Sequence, residues 1–107
     1  MSEVFALDQL LDRQIANGRA YLEFLRVAAM SAGIYVLPAG ATDPQKPHEQ
    51  DEIYYVVRGR AKVRIGTEEH SVGEGNVIFV EARAEHRFFD VDQELLLLVV
   101  FAPAESS

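Results

Sequence analysis

His48, Glu52 and His86 are the residues of this chain whose types and spacing could do chemistry together. Two neutral imidazoles and one carboxylate suit a divalent first-row ion, and such a set leaves coordination positions open for a substrate or for dioxygen. On an extended strand His48 and Glu52 share a face but stand about 13 Å apart at the backbone, so joint ligation requires a turn or bulge between them. Pro47 and the polar stretch Glu49-Gln50-Asp51 supply the place for that bend, with the apolar strand proper beginning at Glu52. Other catalytic schemes find no footing: the chain has no Gly-x-Ser-x-Gly elbow, no glycine-rich phosphate loop, no His-Glu-x-x-His helix and no cysteine thiol. His70 reads as a surface residue of a hairpin. Asp51, of opposite parity to Glu52, falls outside the site.

The elements that must position these residues come in two kinds. Leu7, Leu10, Leu11 and Ile15 recur at helical spacing and Gly18 follows at a left-handed cap position, which predicts one amphipathic helix over 7–17. After it, segments rich in Val, Ile, Tyr and Phe recur every ~8–12 residues: 20–26, 31–37, 52–58, 61–65, 69–72, 77–80, 86–89 and 95–101. Gly59, Gly66-Thr67, Gly73-Glu74-Gly75 and Asp90-Val91-Asp92 punctuate them as expected turns. The fold class is therefore all-β, a sandwich or barrel behind a short N-terminal helix. The 107 residues fit one domain: a helical segment at 1–18, a β-barrel at 19–103 and a frayed tail at 104–107. If Glu52 faces inward, so do Tyr54 and Val56, while Ile53, Tyr55 and Val57 face the other way. Both parities are apolar, so the outer face calls for a cover, either the helix or a second copy in a homodimer. Tyr54, Phe79 and Phe88 are candidates for the wall of the site, as core or as a substrate platform.

Composition narrows the partners. A net charge of −7 opposes binding to nucleic-acid phosphates. Arg58, Arg60, Lys62 and Arg64 alternate along one strand, as the solvated side of a half-buried strand or as a surface for an anion or a subunit. The absence of cysteine and of a signal-like start fits a cytoplasmic protein, and the longest apolar run, 95–102, is shorter than the ~20 residues a membrane span needs. A small molecule is the expected ligand.

At the level of motifs the chain resembles the cupin superfamily of small RmlC-like jelly-roll domains. Gly40, Lys46, Pro47, His48, Glu52 and Gly59 keep the register of the first cupin motif, Gly-x5-His-x-His-x3-4-Glu-x6-Gly, and Gly75, Glu81, Arg83, His86 and Asp90 that of the second, Gly-x5-Pro-x-Gly-x2-His-x3-Asn. The resemblance runs from about residue 31 to 103 and implies a double-stranded β-helix. It also implies one divalent ion, Fe, Mn, Ni, Co or Zn, on His48, Glu52 and His86. Lys46 stands where the family carries its first metal-binding histidine, and an ammonium has no lone pair to offer. A fourth ligand then comes from Gln45, from Asp43 or from water, with Gln45 preferred. Lys46 becomes a candidate catalytic or anion-pairing residue. The family admits oxygenases, isomerases and lyases acting on small oxygen-bearing molecules, with a non-catalytic ligand- or metal-binding module or a metal-free epimerase-like cupin as alternatives.

Overall fold

In the computed structural model, which describes residues 2–106, helix α1 occupies Leu7–Asn17. Gly18 ends it at φ 75°, its N–H donating to the Gln14 carbonyl at 3.1 Å, the left-handed cap that a residue without Cβ adopts freely. Of the four apolar residues at helical spacing, Leu10 is buried and Leu11 packs beside it, whereas Ile15 lies open to solvent.

Six strands follow: β1 (Tyr21–Val27), β2 (Met30–Leu37), β3 (Asp51–Ile65), β4 (Glu68–Gly73), β5 (Val77–Val80) and β6 (His86–Ala102). All pair antiparallel, in the order β1-β2-β6-β3-β4, with β5 added along the first half of β3. The eight segments expected from the sequence become six strands because two expected turns are bulges. The β3 and β6 strands run unbroken for 15 and 17 residues, and their register shifts between Val56 and Lys62. Gly59 sits in that shift at φ 99°, where an added Cβ would lie 2.1 Å from the Glu94 carbonyl oxygen, so no other residue fits without moving backbone. The shift also exchanges the faces: even positions Glu52, Tyr54 and Val56 are buried before it, odd positions Ala61 and Val63 after it.

Bending at these bulges lets both long strands contribute to opposite walls around one interior. Phe88, Val63, Leu97, Val99 and Tyr54 fill that core. On the outer side α1 covers a second cluster of Leu10, Ile34 and Leu96, with Phe5, Phe24 and Val57 packed against it. The helix cover stops there. Ile53 and Tyr55 of β3, paired with Phe79 and Val77 of β5, continue the same outer face and remain exposed. Phe79, expected at the site wall, is thus corrected to this outer face, where its odd parity on β5 directs it; it is 59% exposed.

The basic row is answered by acids across the sheet. Arg60 pairs with Asp92, Lys62 with Asp90 at 3.8 Å, and Arg64 with Glu69, all at the surface, where such pairs contribute about 0–1 kcal/mol each. Among the described residues no helix is long and apolar enough to cross a membrane. Residues 104–106 of the expected frayed tail are hydrogen-bonded to the barrel, and position 107 lies outside the described residues.

Candidate metal centre

Glu52, one residue into β3, leaves one wall, paired with Val80 and Phe101. His86 opens β6 opposite Ile65 at the far end of β3, yet its Nε2 lies 3.2 Å from Glu52 Oε1, because the long strands fold over between the two positions. His48 comes from the loop before β3. The bend that its spacing demanded is supplied by residues 49–50, which lie outside any strand. Loop and second motif are tied together: Arg83 N–H donates to the His48 carbonyl at 2.6 Å, with Arg83 at φ 68°. That is the place where the cupin motif carries glycine, and a non-glycine residue there stores about 1–2 kcal/mol of backbone strain. Asp90, in the place of the motif's Asn, also has positive φ, 47°, which short polar side chains tolerate.

One potential ligand atom from each of His48, Glu52 and His86 lies within 4.8 Å of the others. Glu52 is buried, and neither of its carboxylate oxygens has a hydrogen-bond partner among the described residues. The His86 imidazole lies 3.2 Å from it without hydrogen-bond geometry, and neither Lys46 nor Arg87 pairs with it among the described residues. A buried carboxylate left bare costs several kcal/mol, whereas a metal ion between two imidazoles satisfies it. The donor set therefore fits a divalent ion.

Gln45 stands beside the cluster. Its Nε2 donates to Asp43 Oδ2 at 2.9 Å, which turns Oε1 inward, 3.3 Å from His48 Nε2 and 2.8 Å from Tyr54 Oη. Asp43 is already occupied as an acceptor: Tyr35 Oη donates to it at 2.6 Å and Phe88 N–H at 2.9 Å. Lys46, in register with the family histidine, is exposed and lines an open groove of about 420 Å³ with Gln45, Arg64, His86 and Arg87, outside the ligand cluster. Tyr54 lies against the site, Oη 3.1 Å from His86 Nε2, and Phe88 packs edge-on behind it at 5.0 Å as core. His70 is exposed near Glu68.

Burial draws the His86 imidazole down, but its contacts with Glu52 and the Ala84 carbonyl prevail and leave its pKa raised. Burial also pushes the phenols of Tyr21, Tyr35 and Tyr54 well above their usual range, so all three keep their hydroxyl proton at neutral pH. The Glu105 carboxyl is pushed up by burial, with His48 opposing. Tyr21 and Glu105 were not legible as site residues. Both line the same pocket of about 140 Å³ as Glu52 and His48, and Tyr21 Oη is buried there without a partner among the described residues. Gly33 makes room for that ring: a Cβ on it would lie 2.3 Å from Tyr21 Cζ.

A family model described as the cupin domain matches residues 33–101. An uncharacterized protein, SCO3923, of Streptomyces coelicolor is 49% identical over 104 residues, covering 97% of this chain and 99% of the relative. The solved structure of TT1209 from Thermus thermophilus is 28% identical and covers 96% of this chain and 99% of its own, with a TM-score of 0.73. An RmlC-like cupin family protein from Methanocaldococcus jannaschii with a double-stranded β-helix fold is 19% identical, covers 78% of each chain and gives a TM-score of 0.71, a likeness of fold alone.

Proposed function

This chain belongs to the cupin family, and from that premise we propose that it holds one divalent ion, Fe, Mn, Ni, Co or Zn, on His48, Glu52 and His86, with Gln45 Oε1 as fourth ligand, and acts with it on a small oxygen-bearing molecule. The observation that carries the reading is the bare, buried carboxylate of Glu52 facing two imidazoles. Such an ion supplies Lewis acidity toward a substrate oxygen, or activation of dioxygen if it is iron, the chemistry of oxygenase, isomerase or lyase cupins. The protein's own groups set the ligand's size and orientation. The pocket of about 140 Å³ is near the volume of a cavity that takes up benzene, about 150 Å³, which limits the ligand to a handful of heavy atoms. Tyr21 Oη offers that ligand a donor with no competing partner. Lys46 and Arg87, along the adjoining groove, would draw an anionic ligand toward it, with Glu85 on the same lining opposing them. Unchanged metal content and ligand binding in Lys46→Ala would remove that role.

Elemental analysis of protein purified without chelators tests the centre. One equivalent of metal is expected in the parent and none in His48→Ala or His86→Ala; stoichiometric metal in both variants would sink the ligand assignment. Activity that survives chelation would instead favour an epimerase-like cupin in which a pocket histidine acts as base.

The reading includes a homodimer through the uncovered part of the outer face. Ile53, Tyr55, Val77 and Phe79 are exposed together and continuous with the apolar surface that α1 covers, an arrangement that marks an interface more often than open surface. Light scattering on Phe79→Glu should then report a monomer where the parent reports a dimer.

A further inference from the structure

The two imidazoles of the candidate centre are held by the same device with different parts. His86 Nδ1 lies 3.0 Å from the Ala84 carbonyl oxygen, an acceptor that keeps a proton on Nδ1 and turns Nε2 toward Glu52. His48 Nδ1 lies 3.2 Å from Glu105 Oε2, and its Nε2 is directed at Gln45 Oε1. Each ring thus has an acceptor on its outer nitrogen; the inner nitrogen of His48 also faces an acceptor, Gln45 Oε1, but that neutral oxygen already accepts from Tyr54 Oη at 2.8 Å, whereas Glu105 is a carboxylate. For His86 the acceptor is backbone two residues away. For His48 it is a carboxylate from the end of the chain.

That carboxylate is placed by a tail fixed on both sides of it. Glu105 N–H donates to the Oγ of fully buried Ser31 at 2.8 Å, and the Glu105 carbonyl accepts from Arg26 Nη2 at 2.7 Å. Arg26 is itself held by Glu23 at 2.7 Å. One residue later, Ser106 Oγ accepts from Gln50 Nε2 at 2.9 Å. Contacts from β1, β2 and the loop before β3 therefore converge on a segment that has no strand or helix of its own. Such a convergence fixes where the Glu105 side chain points.

We propose that Glu105 is the positioning residue of His48: its carboxylate accepts the hydrogen bond from Nδ1–H in preference to the neutral Gln45 Oε1 accepting one from Nε2, locks the tautomer that leaves Nε2 bare on the side of Gln45 and the cluster, and makes the C-terminal tail a working part of the metal centre. Its consequence for metal affinity rests on the metal-ion reading above, whereas the tautomer is a property of the metal-free protein. A charged acceptor on a ligating histidine raises the basicity of the other nitrogen, and loss of such a partner typically costs about 10–100-fold in metal affinity.

Two measurements on the parent, Glu105→Ala and Glu105→Gln test this. In metal-free protein, nitrogen-15 NMR of the imidazoles should show His48 protonated on Nδ1 in the parent and in Glu105→Gln, whose amide oxygen still accepts. In Glu105→Ala it should show a mixture of tautomers, with His86 unchanged in all three. Titration with Co(II), followed by its visible absorption, should give Glu105→Ala a Kd about 10–100-fold higher than the parent with an altered band shape, and Glu105→Gln an intermediate value. A His48 protonated on Nε2 in the parent, or a parent-like tautomer and Co(II) spectrum in Glu105→Ala, overturns the proposal. No Co(II) uptake by the parent would defeat the metal reading, and the tautomer comparison would still decide for or against Glu105.

Discussion

Asp43 and Glu52 are both buried carboxylates, 3% and 2% exposed, and the protein treats them in opposite ways. Asp43 accepts from Tyr35 Oη at 2.6 Å, from Gln45 Nε2 and Phe88 N–H at 2.9 Å and from Gln45 N–H at 3.3 Å. Among the described residues Glu52 accepts no well-formed hydrogen bond and has only the His86 imidazole beside it, at 3.2 Å. The first region is complete without a ligand and ties the loop 38–50 to β2 and β6. The second is incomplete in a way only a cation, or protonation, repairs. The difference separates scaffold from site: a carboxylate that the chain has already satisfied organises structure, and one left bare at comparable burial waits for something from outside.

The contrast breaks most visibly at Asp43. Asp43→Ala leaves three groups of donors buried without an acceptor, and a loss of about 3–5 kcal/mol is expected in urea unfolding. A loss below about 1 kcal/mol would mean that the network is not structural. The opposite sign is expected across the site. Glu52→Leu should make the metal-free protein about 1–3 kcal/mol more stable at alkaline pH, where His86 is neutral, while metal content falls to zero. A destabilised Glu52→Leu protein would erase the distinction.

Which parts of this were readable beforehand follows the same line between scaffold and ligand. The helix, its glycine cap and the strand pattern follow from local rules of periodicity and turn chemistry, and Glu52 and His86 follow because strand register and motif spacing place them. Gly59 misled as a turn because its real cause, a close approach to the Glu94 carbonyl, is a contact across the sheet that no local pattern encodes. Phe79 was misplaced for a related reason: parity on β5 is fixed by its pairing with β3, Ile53 opposite Phe79, and not by its own four residues. The loop is where register fails altogether. Lys46 holds the family position, but Asp43 turns the neighbouring Gln45 inward, and Glu105 reaches His48 from a segment whose composition reads as a loose end.

A smaller effect tests the electrostatics of the bare carboxylate. Without metal, the raised pKa of His86 means that its contribution to stability is fully present below the unfolded value of about 6.5 and is lost as pH rises through the folded value. The stability difference between the metal-free parent and His86→Phe should therefore shrink from pH 6 toward pH 8. Metal uptake runs the other way, since the ion must displace that proton, and its affinity should fall as the solution is acidified. A difference independent of pH would mean that Glu52 exerts no pull on His86.

The Asp43–Glu52 contrast repeats in two tyrosines whose rings lie 6.4 Å apart, and the smallest expected effect, at Tyr21, comes from that pair. Tyr35 gives its hydroxyl proton to Asp43 at 2.6 Å, and Tyr21, beside it, holds its hydroxyl in the pocket with no partner. Removing the hydroxyl from Tyr35 deletes a hydrogen bond to a charged acceptor, so Tyr35→Phe should cost about 1.5–3 kcal/mol. Tyr21→Phe removes a group that the folded protein already leaves unsatisfied, and its stability should stay within about 0.5 kcal/mol of the parent or rise slightly. If Tyr21 serves a ligand, the same substitution should weaken binding of that ligand with metal content unchanged, a separation visible by calorimetry on the metal-loaded protein. Equal stability losses in the two variants would show that Tyr21 has a partner in solution, and the orphaned hydroxyl would cease to mark the pocket.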